Sequence, residues 1–181
     1  MKSQVEVQPT ESTENPGRAE LSARWPEIRR LWKSTQFGSF ATSGPEGPQV
    51  TPIGSVYLHP TEPRGYYHPI FAARLLKTLT HDPRFELLFV DTGALPWLTA
   101  LVRGRFDRLV AARLKGHAVG ARRRATEQEV ALWNRRVRPV RWTRGYDLLW
   151  KDVRFVQELS FDTLIPVRFG ALPHAPRSQR I

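Results

Sequence analysis

Apolar residues recur at spacings of three and four through Leu21, Trp25, Ile28, Leu31 and Trp32. That period predicts an amphipathic helix over Glu20–Ser34, with Pro26 in its early turns, where proline is tolerated. The period then shortens to that of strands. Phe37–Thr42 reads as a short strand, and Ser43–Pro48 is dense in turn residues. Gln49–Leu58 reads as a second strand, so the two form a hairpin with a loop longer than two residues. Pro52 inside the second strand removes one ladder donor, which argues for an edge, a bulge, or a stretch where something other than a strand meets the backbone.

Past the Pro/Gly turn His59–Gly65, a brief third strand covers Gly65–His68. Pro69 then opens a helix whose apolar face is Phe71, Leu75, Leu76 and Leu79. Arg74, Lys77, Thr78 and His81 fall on its other face, and Asp82-Pro83 ends it. Arg84–Asp91 reads as a strand, and Thr92–Arg103 as an insertion or short helix. Phe106–Val119 reads as one or two strands closing at Gly116. Thr126 and Glu129 make a capping box for a helix that Pro139 stops. Tyr146–Trp150 fits a helix or a loop, and Val153–Leu159 and Thr163–Phe169 read as two strands. Residues 1–18 form a polar tail with too few apolar groups to offset the entropy of ordering, and 171–181 form a Pro/Arg tail. One domain over 19–170 lies between them. Many short strands with few helices predict a mainly β fold, an antiparallel barrel with peripheral α-helices.

Composition narrows the function classes. The chain of 181 residues has no cysteine, which removes disulfides, thiolate metal sites and thiol catalysis. No apolar run is long enough to span a bilayer, and the first residues lack a secretory h-region; the cytoplasm is the default expectation. The formal charge is +11, and most of it lies in 103–144, which holds thirteen Arg or Lys against three acids. Such a zone suits phosphates, nucleotides or nucleic acid, and equally a solvated arginine-rich face. The five histidines show no metal-ligand spacing, so no metal is expected. The glycine-rich nucleotide-binding patterns and GxSxG are absent, and no side chain stands out as catalytic.

The segment Tyr66–Lys77 carries what chemistry remains. A helix start presents free amides and partial positive charge, and Arg74 and Lys77 on one face would add cations for a phosphate. An amphipathic helix with a solvated basic face fits the same pattern.

Three pieces in order give this region a resemblance: the hairpin FGSFATSGPEGPQVTPIGSVYL, the unit YYHPIFAARLLKTLTHDPRFELLFV and the later strand ARLKGHA. Together they resemble the FMN-binding split-barrel family typified by pyridoxamine 5′-phosphate oxidase. The resemblance implies a split β-barrel that pairs as a homodimer. It implies an FMN-dependent oxidoreductase acting on a small molecule. The second strand would pass the flavin with Thr51, Pro52, Ile53, Gly54, Ser55 and Val56. Tyr67, His68 and Arg74 would carry the phosphate, with Lys77 reaching in from the next turn. Arg141-Trp142 and Leu149-Trp150 would close a partner's site, and Trp150 suits ring stacking.

The chain departs from the oxidase in four places. Ala73-Arg74-Leu75 replaces a Ser-Arg-Lys run, Thr51 and Val56 replace two cations, and Ala111 replaces a glutamine. The phosphate site is therefore thinner, and vitamin B6 oxidation is not implied. Deazaflavin F420 or haem, used by related split barrels, is the alternative ligand. A non-catalytic polyanion-binding module is another, although no groove-reading motif points to nucleic acid.

Overall fold

The computed structural model describes residues 16–35, 37–70, 72–165 and 167. In chain order these form α1 (Pro16–Thr35), β1 (Gly38–Gly44), β2 (Gly47–Ile53), β3 (Val56–Leu58), β4 (Arg64–Tyr67) and α2 (Ala73–His81). There follow β5 (Arg84–Val90), α3 (Ala94–Arg103), β6 (Ala111–Arg124), α4 (Glu127–Val137), a 3₁₀ turn at Arg138–Val140, α5 (Arg144–Leu149) and β7 (Phe155–Ile165).

The seven strands make one antiparallel sheet in the order β2-β1-β5-β6-β7-β4-β3. β2 and β3 occupy opposite edges, yet only Gly54 and Ser55 separate them in sequence. Six flat strand spacings would span roughly 29 Å. The chain from Ile53 to Val56 can reach only about 10 Å. The sheet must therefore curl until its edges nearly meet, and this crossing is the seam of the barrel. Hydrogen bonds extend the β3–β4 pairing into this crossing: the Ser55 hydroxyl donates to the His68 carbonyl at 2.7 Å, and the His68 amide donates to the Ser55 carbonyl at 3.2 Å.

The barrel interior follows from alternation. Phe85, Leu87 and Phe89 on β5 point inward and are buried with Phe40, Leu114, Leu159 and Phe161. α1 caps this core with the apolar face read from its periodicity: Leu21, Trp25, Ile28, Leu31 and Trp32 are all buried. Its two indoles also hold the β3–β4 region. Trp25 Nε1 donates to the His59 carbonyl at 2.9 Å, and Trp32 Nε1 to the Val56 carbonyl at 3.2 Å.

Several expectations change. α1 begins at Pro16, inside the expected tail; residues 1–15 and 168–181, where the tails were placed, lie outside the described residues. The β1–β2 turn has two loop residues, Pro45 and Glu46, since Gly44 pairs with Gly47. Gly47 at φ +96° makes so tight a return possible. The second strand is two strands, broken at the seam. β2 is an edge strand, which accommodates Pro52. α2 starts at Ala73 rather than at Pro69, and Thr78 is buried against β1–β2 rather than on the polar face. β6 runs on through Arg124, and one long β7 replaces two expected strands. Register shifts at Lys115/Gly116 and between Val119 and Arg123 break the alternation that would have revealed β6. Thr92–Arg103 contains the helix α3, and Tyr146–Trp150 falls largely within α5. The Thr126–Glu129 capping box is present on both of its arms.

Candidate functional site

The residues expected to hold a cofactor fall into three groups. Thr51 and Pro52 lie on edge strand β2. Thr51 is half-buried on the inward face and Pro52 is exposed on the outward one. Beside this strand, α2 begins without a side-chain cap and without an acidic residue in its first turn. Arg74, its second residue, is exposed and paired with Glu46 at the β1–β2 turn. Lys77 is exposed one turn on. Thr78 reaches Gln49 on β2, and a Cβ on Gly44 would sit 3.2 Å from the Thr78 methyl. Next to them the hydroxyl of Thr42, directly paired with Gln49, is buried with no hydrogen-bond partner among the described residues.

The second group is the seam. Ile53, Ser55, Val56, Tyr67 and His68 are buried, and Gly54 is half-buried. Tyr67 packs on Phe40 in the barrel core, with ring centroids 5.6 Å apart. His68 is fully buried and sits edge-on to Tyr57, Tyr66 and Trp133. Its Nδ1 lies 3.2 Å from the Phe155 carbonyl. A carbonyl only accepts, so Nδ1 carries the proton of the neutral ring and Nε2 is left as a buried lone pair without a partner among the described residues. Tyr67 thus belongs to the barrel core, and His68 to the packing of α4 on the β3–β4 hairpin. They do not flank a helix start, because the helix begins only at Ala73.

The third group is Trp150, half-buried against Trp133, Val137 and Tyr146. Its carbonyl accepts from Trp133 Nε1 at 3.0 Å. Here it packs within its own chain. Trp142 is exposed, with its Nε1 donating to the Pro139 carbonyl at 3.0 Å.

Burial pushes the His68 imidazole below its ordinary value of 6.5, against the opposing pull of the Phe155 carbonyl and the Glu129 carboxylate. The unfolded chain therefore binds a proton that the folded chain refuses. Stability is full above about pH 6.5 and falls as the pH drops from there toward the folded-state value. The slope is at most about 1.4 kcal/mol per pH unit. Urea unfolding between pH 7.5 and 5 should show this loss, and His68→Gln should flatten it. An unchanged slope in the variant would remove His68 as its source.

A feature that the periodicity reading did not single out lies on another face of the molecule. A cleft of about 1240 Å³ lies between α1, the β3–β4 hairpin and α4. Its wall includes Trp32, Leu58, Leu132 and the stacked pair Tyr57–Tyr66, whose centroids are 5.1 Å apart. Arg136 lies over the Tyr57 ring at 5.5 Å and donates to the Val56 carbonyl at 3.3 Å. Glu129 and Glu158 both bind Arg123. Burial opposes ionisation of Glu129, but the Arg123 guanidinium and the Thr126 amide outweigh it and hold its carboxyl below the ordinary range. The available signal was the spacing of Arg18, Ser22, Arg29 and Lys33, which share one face of a helix.

Much of the basic zone is spent internally. Arg103 and Arg105 pair with Asp107, Arg108 with Asp91, and Arg113 and Lys115 with Glu86. The cations of these pairs are exposed, so the pairs contribute modestly to stability, but they leave fewer cations for a polyanion. Among the described residues no cluster of His, Asp and Glu could hold a metal, and no helix is long and apolar enough to cross a membrane.

No protein-family profile and no curated protein sequence matches the chain. Solved structures do. HupZ of Group A Streptococcus superposes with a TM-score of 0.51 at 15% identity, over 77% of this chain and 90% of that one. HutZ, the haem storage protein of Vibrio cholerae, gives 0.48 at 15% identity over 77% and 92%. A candidate pyridoxamine 5′-phosphate oxidase of Lactobacillus delbrueckii gives 0.46 at 15% over 78% and 91%. The curled sheet, its Gly54-Ser55 seam and the match to HupZ together establish that this chain has the split-barrel fold.

Proposed function

We propose that the protein binds FMN along the β2 edge and acts as a flavin-dependent oxidoreductase on a small molecule. The observation that carries this reading is β2 itself. An edge strand has a row of backbone N–H and C=O groups facing away from its single neighbour. Such a row can meet the polar rim of a flavin where Thr51, Ile53 and Gly54 lie. The uncapped start of α2, with Arg74 and Lys77, would hold the phosphate. Arg74 is available for this role because Glu46, its exposed partner, is a weak competitor for a guanidinium. The residues present therefore fit one phosphate, held by fewer groups than the oxidase uses. Bound FMN would supply one- or two-electron transfer, and the protein would supply position and electrostatics.

A homodimer accompanies this reading. Val50 and Leu88 are exposed on the outer face of β2-β1-β5, where a second barrel would cover them.

The experiment is a titration of the purified protein with FMN, F420 and haem, read by absorbance, with light scattering on the same sample for the mass. FMN should bind, at twice the chain mass. Arg74→Glu should weaken it about tenfold to a hundredfold, the loss of one charge-assisted contact. Tighter binding of F420 or haem would replace FMN in this reading. Binding of none of the three would end it.

A further inference from the structure

We propose that the cleft between α1, the β3–β4 hairpin and α4 is a second binding site, for a nucleotide: an aromatic ring carrying two or more phosphate charges. Its volume of about 1240 Å³ lies above the range of about 300–1,000 Å³ usual for small-molecule sites. The β2 edge and α2 contribute nothing to its lining, so it is separate from the flavin reading and does not depend on it.

Charge and shape select the ligand. α1 presents Arg18, Arg29 and Lys33 from one side, and α4 presents Arg135 and Arg136 from the other. Among the described residues, Arg18, Arg29, Lys33 and Arg135 have no carboxylate partner. The three acids of the cleft are already engaged: Glu62 with Arg64, and Glu129 and Glu158 with Arg123. Gathering unneutralised cations around one concavity costs folding energy through mutual repulsion. An anion with several charges relieves that repulsion, and arginine forks suit phosphate oxygens. The wall between the two cationic helices is apolar and aromatic, formed by Trp32, Leu58, Tyr66 and Leu132. It offers a ring the stacking and burial that free phosphate cannot use. The Tyr66 ring is part of this wall, and its buried hydroxyl is unpartnered among the described residues. A concave site of this size favours a single nucleotide over a duplex, which would need a convex or grooved surface.

The test is calorimetric titration with ADP, pyrophosphate and adenosine, on the protein as isolated and after addition of excess FMN. ADP should bind at one per chain in both samples. Pyrophosphate should bind at least tenfold more weakly, and adenosine more weakly still. Lys33→Glu and Arg135→Glu, both at exposed positions, should each weaken ADP at least tenfold without lowering the melting temperature, since each relieves repulsion in the cluster. Arg74→Glu should leave ADP binding intact. The proposal is overturned if ADP does not bind, or if pyrophosphate binds as tightly as ADP. It is also overturned if the two cleft variants bind ADP normally, or if FMN displaces ADP and Arg74→Glu abolishes it. Failure of FMN to bind, with ADP binding as described, would sink the flavin reading and leave this one standing.

Discussion

Gly116→Ala is expected to destabilise the fold by about 3 kcal/mol or more, enough to unfold much of the protein at 37 °C. Gly116 sits in the middle of the sheet, where β6 lies between β5 and β7 and the β6–β7 register slips. A Cβ there would lie 2.1 Å from the Ser160 carbonyl oxygen and 3.0 Å from the Phe85 ring. The ring could tilt, but the carbonyl belongs to the neighbouring strand's backbone. Relief would require β6 and β7 to separate, with loss of ladder bonds on both sides of the bulge. Gly120→Ala is the control. Its φ of +60° disfavours a side chain, yet nothing lies within 4 Å of the added carbon. It should cost only about 1 kcal/mol. Urea unfolding of the two variants separates close approach from backbone conformation. Equal losses would mean that β6 and β7 part more easily than their packing implies.

Glu129→Ala is expected to cost about 2–3 kcal/mol. One carboxylate does two jobs here. It accepts from the Thr126 amide at 2.8 Å, completing the capping box of α4, and it accepts two bonds from Arg123 at 2.8 and 2.9 Å. Loss of the cap costs about 1 kcal/mol. The Arg123 pair adds about 1–2 kcal/mol, discounted because the guanidinium is more than a third exposed. Glu129→Gln keeps an acceptor for Thr126 and loses the charge, so it should fall between wild type and Ala. The folded carboxyl ionises more readily than the unfolded one, so this stability is present above about pH 4.5 and fades as the pH falls below it. The alanine variant should lack that acid-dependent part. Arg123→Ala combined with Glu129→Ala should cost less than the two separate losses together. Full additivity would show that the pair contributes nothing.

Both effects involve the long β6, one in mid-sheet and one where Arg123 meets α4, and only the second is legible in the sequence. Thr126 and Glu129 are three residues apart, and a capping box is a local contract between a side chain and its own backbone. The same locality made α1 readable: a helix repeats its face every three to four residues, so Leu21 through Trp32 declare what they will bury. The strand at Arg84–Asp91 was readable for the same reason, and Pro52 allowed an edge as one of three readings, of which the sheet order selects the edge. The fold class followed from the number and order of such elements.

Long-range pairing decided the rest. Pro69 fits a helix's first turn and a loop equally well, and only the burial of His68 against Tyr57, Tyr66 and Trp133, with α2 starting at Ala73, shows which holds. β6 and β7 were cut short because bulges interrupt the alternation that marks a strand. That β2 and β3 lie at opposite edges, though two residues apart, is a property of the curled sheet and of no local pattern. The cleft is the clearest case. Arg18, Arg29 and Lys33 stand about a hundred residues from Arg135 and Arg136, and no spacing rule joins them. The sequence alone determined which faces are apolar and where helices are capped, because those depend on near neighbours. Tertiary structure alone decided which cations share a cavity and which lose their charge to a partner, because electrostatics follows distance in space and not along the chain.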